Sequence, residues 1–188
     1  MRAALSIPFL IFALAGCGSE PASEESAAKS AGDVIAEASQ MAKPLPGLYE
    51  TTSQLMDLSI SGLPPEQLSM MKQQFSANSG QNETMCLTRA DAEQGFEKML
   101  REMGEMGQMG EGVECAFSRF DASGSKLNAV LNCSGPGGTQ MAMRMDGTVA
   151  PDRSDMMMTV NSSSDMMAGR EMTMVMQTAS RRIGDCPA

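Results

Sequence analysis

Sulfur accounts for most of the side chains that could do chemistry in this chain. The 188 residues include five cysteines and 21 methionines but no histidine. A thiol can be acylated or oxidised to a disulfide, and a thioether can pack in a core or bind a soft metal ion such as Cu(I). The lack of histidine excludes Ser-His-Asp catalysis, Cys-His catalysis and histidine-ligated metal centres.

The first cysteine, Cys17, closes a short apolar run that begins almost at the N-terminus. Arg2 supplies a positive charge before this run, which extends from Leu5 to Ala15 and is shorter than the ~20 residues that a membrane span needs. The pattern predicts a lipoprotein signal peptide over residues 1–16 and acylation of Cys17. An ordinary secretory signal stays open, because Ala13-Leu14-Ala15 also fits an A-x-A cleavage site.

The residues that follow Cys17 indicate where the protein is anchored and how it is divided. Gly18 and Ser19 lack the aspartate linked to inner-membrane retention, so the resemblance to lipoprotein sorting signals favours the outer membrane. We therefore expect a cell-envelope protein, attached to the membrane by its lipid and facing the periplasm. Residues 17–43 are rich in Ala, Ser and Glu and predict a flexible tether. Residues 44–188 predict a single domain.

The other four cysteines form an even set, as expected in an oxidising compartment. Gly124 lies midway between Cys115 and Cys133, and a hairpin that turns there places these two cysteines directly opposite each other. This geometry predicts one disulfide between them and, by elimination, a second between Cys86 and Cys186. Four reduced thiols or a zinc site are the alternatives, but the chain has no C-x-x-C spacing.

Methionine alternates with other residues in three β-prone segments, and this period of two lines one face of each strand with thioethers. One interpretation is that these methionines replace Leu, Ile and Val in a core. A soft, adaptable face could also bind an apolar ligand. The residues we expect to face such a ligand are Met141, Met143, Met145, Met172, Met174 and Met176.

A second set of methionines lies in the glycine-rich segment MGEMGQMGEG. Met103, Met106 and Met109 have the M-x-x-M spacing of Cu(I) sites, on a segment with no core to fill. They are the candidate ligands for an alternative function, which is binding of Cu(I) or Ag(I) by a methionine-rich periplasmic protein.

Composition and motifs exclude several other functions. The formal net charge is −9 and no basic patch stands out, so we expect no nucleic-acid partner. The chain contains no G-x-S-x-G, P-loop or dinucleotide-binding motif. We therefore predict a protein that is not an enzyme and has no cofactor.

The elements that must position these residues follow from periodicity and turn signals. Regular short strands with short turns predict a mainly β fold with minor α content. We expect an antiparallel meander, as a curved sheet or incomplete barrel, with two helical insertions after the first strand. The predicted strands are 48–55 (with an extension to 60), 84–87, 113–120, 126–133, 139–149, 155–161 and 171–180, and the predicted helices are 66–75 and 88–103. A weak helix at 33–41 would bury little.

Four short stretches resemble the bacterial family called domain of unknown function 3617. They are Pro46-Gly47-Leu48-Tyr49-Glu50, similar to the family's "PGLW/Y-E" opening, Cys86-Leu87-Thr88, Cys133-Ser134-Gly135 and Arg181-Arg182-Ile183-Gly184-Asp185-Cys186. Tyr49 departs from the family, in which Trp is frequent. The resemblance covers roughly residues 44–186 and implies an envelope protein with a disulfide-tied β fold. It brings no catalytic residues.

Together these observations predict a lipid-anchored envelope protein of uncharacterised, non-enzymatic function. Its expected partners are the membrane, through the lipid anchor, and either an apolar small molecule or another envelope protein.

Overall fold

Strands predominate in the part of the chain that the structure describes. This computed structural model describes residues 28–187, except residues 79, 81, 99, 101–111 and 166–167. The elements in chain order are α1 Ala31–Ala38, β1 Gly47–Ile60, α2 Pro65–Asn78, β2 Asn82–Leu87, α3 Arg89–Gln94, β3 Glu114–Ser123, β4 Lys126–Gly135, β5 Thr139–Ala150, β6 Arg153–Ser163 and β7 Glu171–Gly184. The strands agree with the predicted ones to within a few residues.

All seven strands belong to one antiparallel sheet with the order β2-β1-β7-β6-β5-β4-β3. Each strand from β3 to β7 pairs with the next one in the chain, which confirms the predicted meander. β1 adds beside β7, and β2 adds beside β1. Because β2 and β3 are the two edges, the sheet is open and does not close into a barrel.

Glycines make the tight turns of the meander possible. Gly124, in the turn between β3 and β4, has a φ of 60°, and Gly137 and Gly138, between β4 and β5, have φ values of 64° and 63°. Residues with a side chain rarely adopt this left-handed conformation, whereas glycine does so at little cost.

Both predicted disulfides are present. Cys115 and Cys133 are directly opposite each other on β3 and β4, with their Cα atoms 4.0 Å apart. Cys86 on β2 is bonded to Cys186, with a Cα–Cα distance of 5.4 Å, and this bond fixes the segment after β7 to an edge of the sheet.

Helix α1 packs on the sheet more extensively than the sequence predicts. Val34, Ala38 and Met41 are 2%, 4% and 5% exposed and join a buried cluster with residues of β3, β4 and β5. The backbone N–H of Lys29 also donates to the carbonyl of Phe117 on β3 (2.8 Å). This segment lies inside the predicted tether, and the expectation that it would bury little differs from what the structure shows.

The two helical insertions lie between β1 and β3. α2 packs against β1, where Lys72 donates to Asp57 at 3.0 Å. Thr88 caps α3, as its side chain accepts a hydrogen bond from the Asp91 N–H (3.2 Å). The predicted single helix up to Met103 is interrupted, because α3 ends at Gln94 and Gly95 (φ 54°) terminates it; residues 96–98 are helical again, and residues 101–103 lie outside the described residues. In the described ranges, no helix has the length and apolar character that crossing a bilayer requires.

Candidate functional site

Eight methionines of β5, β6 and β7 share one face of the sheet, which we call the methionine face. Side chains alternate between the two faces of a strand, and the strand register brings these methionines to the same side. The eight are Met141, Met143, Met145, Met156, Met158, Met172, Met174 and Met176. All six methionines that the sequence analysis named for this face are among them. Met156 and Met158 complete the set.

The two faces of the sheet differ in polarity. The methionine face continues into apolar side chains of the neighbouring strands, including Leu58 on β1 and Ala129 on β4. The opposite face carries polar residues such as Arg144, Asp146 and Asn161. All eight methionines of the methionine face are half-buried, whereas Leu58 and Ala129 are fully buried. The methionine face is therefore the core side of the sheet, but its thioethers are not fully enclosed.

Helix α1 and residues after α3 cover the part of the methionine face that lies toward β3. Phe96 and Leu100 join α1 in the buried cluster, and Met145 and Met156 are partly buried against it. The sulfur of Met156 lies over Gly147, since a Cβ at that position would be only 2.6 Å from it. Met145 on β5 and Met156 on β6 thus lie at the edge of the covered part of the methionine face. The rest of this face on β6 and β7 lies beyond them.

A dense set of contacts joins the start of β1 to the end of β7. The Arg182 Nε donates to the carbonyl of Pro46 (2.8 Å), and the Arg181 Nη2 donates to the carboxylate of Glu50 (2.8 Å). A Cβ on Gly47 would lie 2.8 Å from the Cζ of Arg182, so glycine leaves the space that the guanidinium occupies. The sequence analysis did not find this contact, because its partners come together only through the β1–β7 pairing.

Tyr49 is buried next to these contacts. Its hydroxyl lies 2.8 Å from the carbonyl oxygen of Leu45 and 2.9 Å from that of Pro151, and the residue is 6% exposed. Burial raises the pKa of Tyr49, an effect that the nearby Arg182 opposes. The hydroxyl therefore fixes the segment before β1 to the turn between β5 and β6.

Three of the four stretches that resemble a known family meet in this region, and the match extends over the whole sheet. The family described as "Protein of unknown function (DUF3617)" matches residues 44–186. The chain belongs to this family. No curated protein and no solved structure matches it. The family match includes all seven strands but leaves out α1, which covers part of the methionine face.

A cleft of about 210 Å³ lies beside Tyr49, at one end of the methionine face. Its walls are mainly apolar and include Leu87, Phe96 and Val149. A second cavity, of about 380 Å³, lies at the opposite end of the strands. Its lining is more polar and includes Asn161, Ser162 and Glu171, together with Met141 and Met172 of the methionine face. The cleft beside Tyr49 is thus the more apolar of these two cavities.

Surface ion pairs explain the lowered pKa values of two carboxylates in the described part of the chain. The hydrogen bond from Lys72 lowers the pKa of Asp57, and the hydrogen bond from Lys98 lowers that of Asp91. Both carboxylates are at the surface, and neither lines the cleft beside Tyr49. Within the described ranges, no group of three or more His, Cys, Asp or Glu side chains is placed to hold a metal ion.

Two predicted sites lie outside the described residues. They are the acylation site at Cys17 and the methionine-rich segment with Met103, Met106 and Met109. Both stay predictions from the sequence.

Proposed function

We propose that this chain is a non-enzymatic protein of the cell envelope, anchored in the outer membrane by a lipid on Cys17, that binds an apolar ligand on its methionine face. The observation that carries the proposal is that eight half-buried methionines share one face of the sheet. Methionine has three rotatable bonds and a polarizable sulfur, and surfaces rich in it adapt to apolar ligands of different shapes.

An acyl chain fits this surface better than a peptide segment. A peptide bound across a sheet face finds no backbone partners there, so its own N–H and C=O groups lose their hydrogen bonds to water. An acyl chain has no such groups to satisfy. The cleft beside Tyr49 supports the choice, because Leu87, Phe96 and Val149 extend the apolar surface at one end of the face.

Calorimetric titration of the mature protein with palmitate tests the ligand. We expect binding, and we expect Met174→Gln to weaken it about tenfold, because an amide of similar length under the chain would be desolvated without a partner. Met157→Gln is the matched control, since Met157 lies on β6 but on the opposite face and is 36% exposed. Equal affinities for these two variants, with thermal unfolding unchanged, would place the ligand elsewhere.

If an envelope protein is the true partner, palmitate will not bind. In that case, crosslinking in intact cells from a photoreactive residue at position 174, and not at position 157, should capture a partner chain. A lack of both palmitate binding and crosslinking at position 174 contradicts the proposed binding face.

The lipid anchor is tested by mass spectrometry of the protein from the membrane fraction of a Gram-negative host. The mature N-terminus should be residue 17. Its mass should include a diacylglyceryl group on the sulfur and an acyl chain on the amino group. The Cys17→Ser variant should be soluble in the periplasm or retain its signal peptide. An unmodified N-terminus after Ala15 would instead support the ordinary secretory signal.

A further inference from the structure

The strand register places three methionines in one unbroken row across the sheet. Met145 on β5 is directly opposite Met158 on β6, and Met158 is directly opposite Met176 on β7. Val160 stands between Met143 and Met174 in the next row, and Ser162 stands between Met141 and Met172 in the row beyond it. Met145, Met158 and Met176 are therefore three thioethers on adjacent strands with no other residue type between them.

This spacing suits three sulfur atoms that share one ion. Side chains directly opposite on antiparallel strands have Cβ atoms ~5 Å apart, and methionine has enough rotatable bonds to bring its sulfur toward a neighbour. The central Met158 is directly opposite both Met145 and Met176. Ala129 and Leu55 end the row on β4 and β1, so the neighbours at both ends have no polar group that would compete for an ion.

The surroundings of the row select the type of ion. The flanking residues on the same face are uncharged: Met143, Val160 and Met174 on one side, and Gly147, Met156 and Thr178 on the other. A half-buried, neutral set of thioethers does not offer the oxygen, imidazole or thiolate ligands that Mg²⁺, Ca²⁺ or Zn²⁺ require. Thioethers favour soft ions such as Cu(I), and a monovalent ion also has less charge to desolvate.

We propose that Met145, Met158 and Met176 bind one Cu(I) or Ag(I) ion on the methionine face. This site is distinct from the segment with Met103, Met106 and Met109, and it does not depend on the proposed acyl-chain ligand. The methionine next to the row, Met156, has its sulfur over Gly147.

The test is a titration of the mature protein with silver nitrate in chloride-free buffer, monitored by NMR of ¹³C-methyl-labelled methionine. We expect saturation at one Ag(I) per chain, with the largest shifts at the methyl groups of Met145, Met158 and Met176. The methyl group of Met157, which lies on the opposite face, should not shift. An excess of Zn²⁺ should not compete.

Leucine variants separate this site from its alternatives, because leucine keeps the apolar volume and removes the sulfur. The triple variant M145L/M158L/M176L should lose Ag(I) binding, and Met158→Leu alone should weaken it at least tenfold. Met157→Leu and M103L/M106L/M109L should bind normally. Loss of binding in the last variant, with binding kept in Met158→Leu, would assign the metal to the other segment and overturn this proposal, as would the absence of Ag(I) binding.

Discussion

The guanidinium group of Arg182 occupies the space that a side chain at Gly47 would need. A Cβ at position 47 would lie 2.8 Å from the Cζ of Arg182 and 2.5 Å from the carbonyl oxygen of Gly184, and the φ of Gly47 is 150°. Arg182 uses this space to donate to the carbonyl of Pro46, and it also pairs with Asp185. The start of the first strand is thus fixed to the end of the last strand by contacts that require glycine.

We expect Gly47→Ala to lower the free energy of unfolding by about 2 kcal/mol or more. The substitution adds both backbone strain at a positive φ and a clash with the backbone carbonyl of Gly184, which cannot move as a side chain can. Urea denaturation followed by circular dichroism measures the change. Gly184→Ala is the matched control, because a Cβ there meets nothing within 4 Å. If both variants are equally stable, the packing of Arg182 on Gly47 does not constrain the fold.

Tyr49→Phe should destabilise the protein by about 1 kcal/mol at neutral pH. It removes a hydroxyl that lies within hydrogen-bond distance of the Leu45 and Pro151 carbonyls and leaves both carbonyls without this donor. The apolar packing of the ring is kept. The unfolding midpoint in urea measures the effect, and an unchanged midpoint would show that water replaces the hydroxyl without loss.

Stability should also decline at alkaline pH because of Tyr49. Burial raises the pKa of Tyr49 in the folded protein above its value of 10.0 in the unfolded chain. The protonated form therefore stabilises the fold below pH 10, and this contribution is lost as the pH rises through the higher pKa of the folded state. Urea denaturation at pH 8, 10 and 11 should show a decrease for the natural protein that is smaller in Tyr49→Phe. Parallel decreases would contradict this assignment.

Val34→Ala should cost about 2 kcal/mol, since it removes two buried methyl groups from a side chain that is 2% exposed. Gln40→Ala, at an exposed position just after α1, should change the free energy of unfolding by less than ~0.5 kcal/mol. Denaturation of both variants decides whether α1 is part of the cooperative fold. Equal stability of the two would mean that this segment detaches without loss to the sheet.

The strands could be predicted from the sequence because their signals are local. Alternation of methionine with other residues gives the face of a strand, and glycine-rich turns give the hairpins. The symmetric position of Gly124 was enough to pair Cys115 with Cys133. By contrast, alternation alone does not give the register between strands, so the row formed by Met145, Met158 and Met176 was beyond the sequence analysis.

Contacts between distant segments could not be predicted in the same way. The role of Gly47 depends on the pairing of β1 with β7, and no local signal reports it. Val34 and Ala38 in α1 and Met41 just after it follow the i, i+4, i+7 spacing of a buried helix face, but three apolar residues in so short a segment are a weak signal. The glycine at position 95 was a local signal for the end of α3. The helical spacing of the apolar residues after it outweighed this signal and led to the prediction of a longer helix.

The two disulfides should differ in what they contribute to stability. The Cys86–Cys186 bond closes a loop with a sequence separation of 100, whereas Cys115–Cys133 spans 18. Loop-closure entropy in the unfolded chain therefore predicts a loss of about 5 kcal/mol for C86A/C186A and about 3 kcal/mol for C115A/C133A. Guanidinium denaturation under non-reducing conditions measures both.

The Cys115–Cys133 bond joins strands that already pair along their whole length, so removing it leaves the hairpin intact. The other bond holds the chain's final segment to the short edge strand β2, which pairs with β1 alone. A larger loss for C115A/C133A would mean that packing around the buried Cys133 outweighs the entropy of the longer loop.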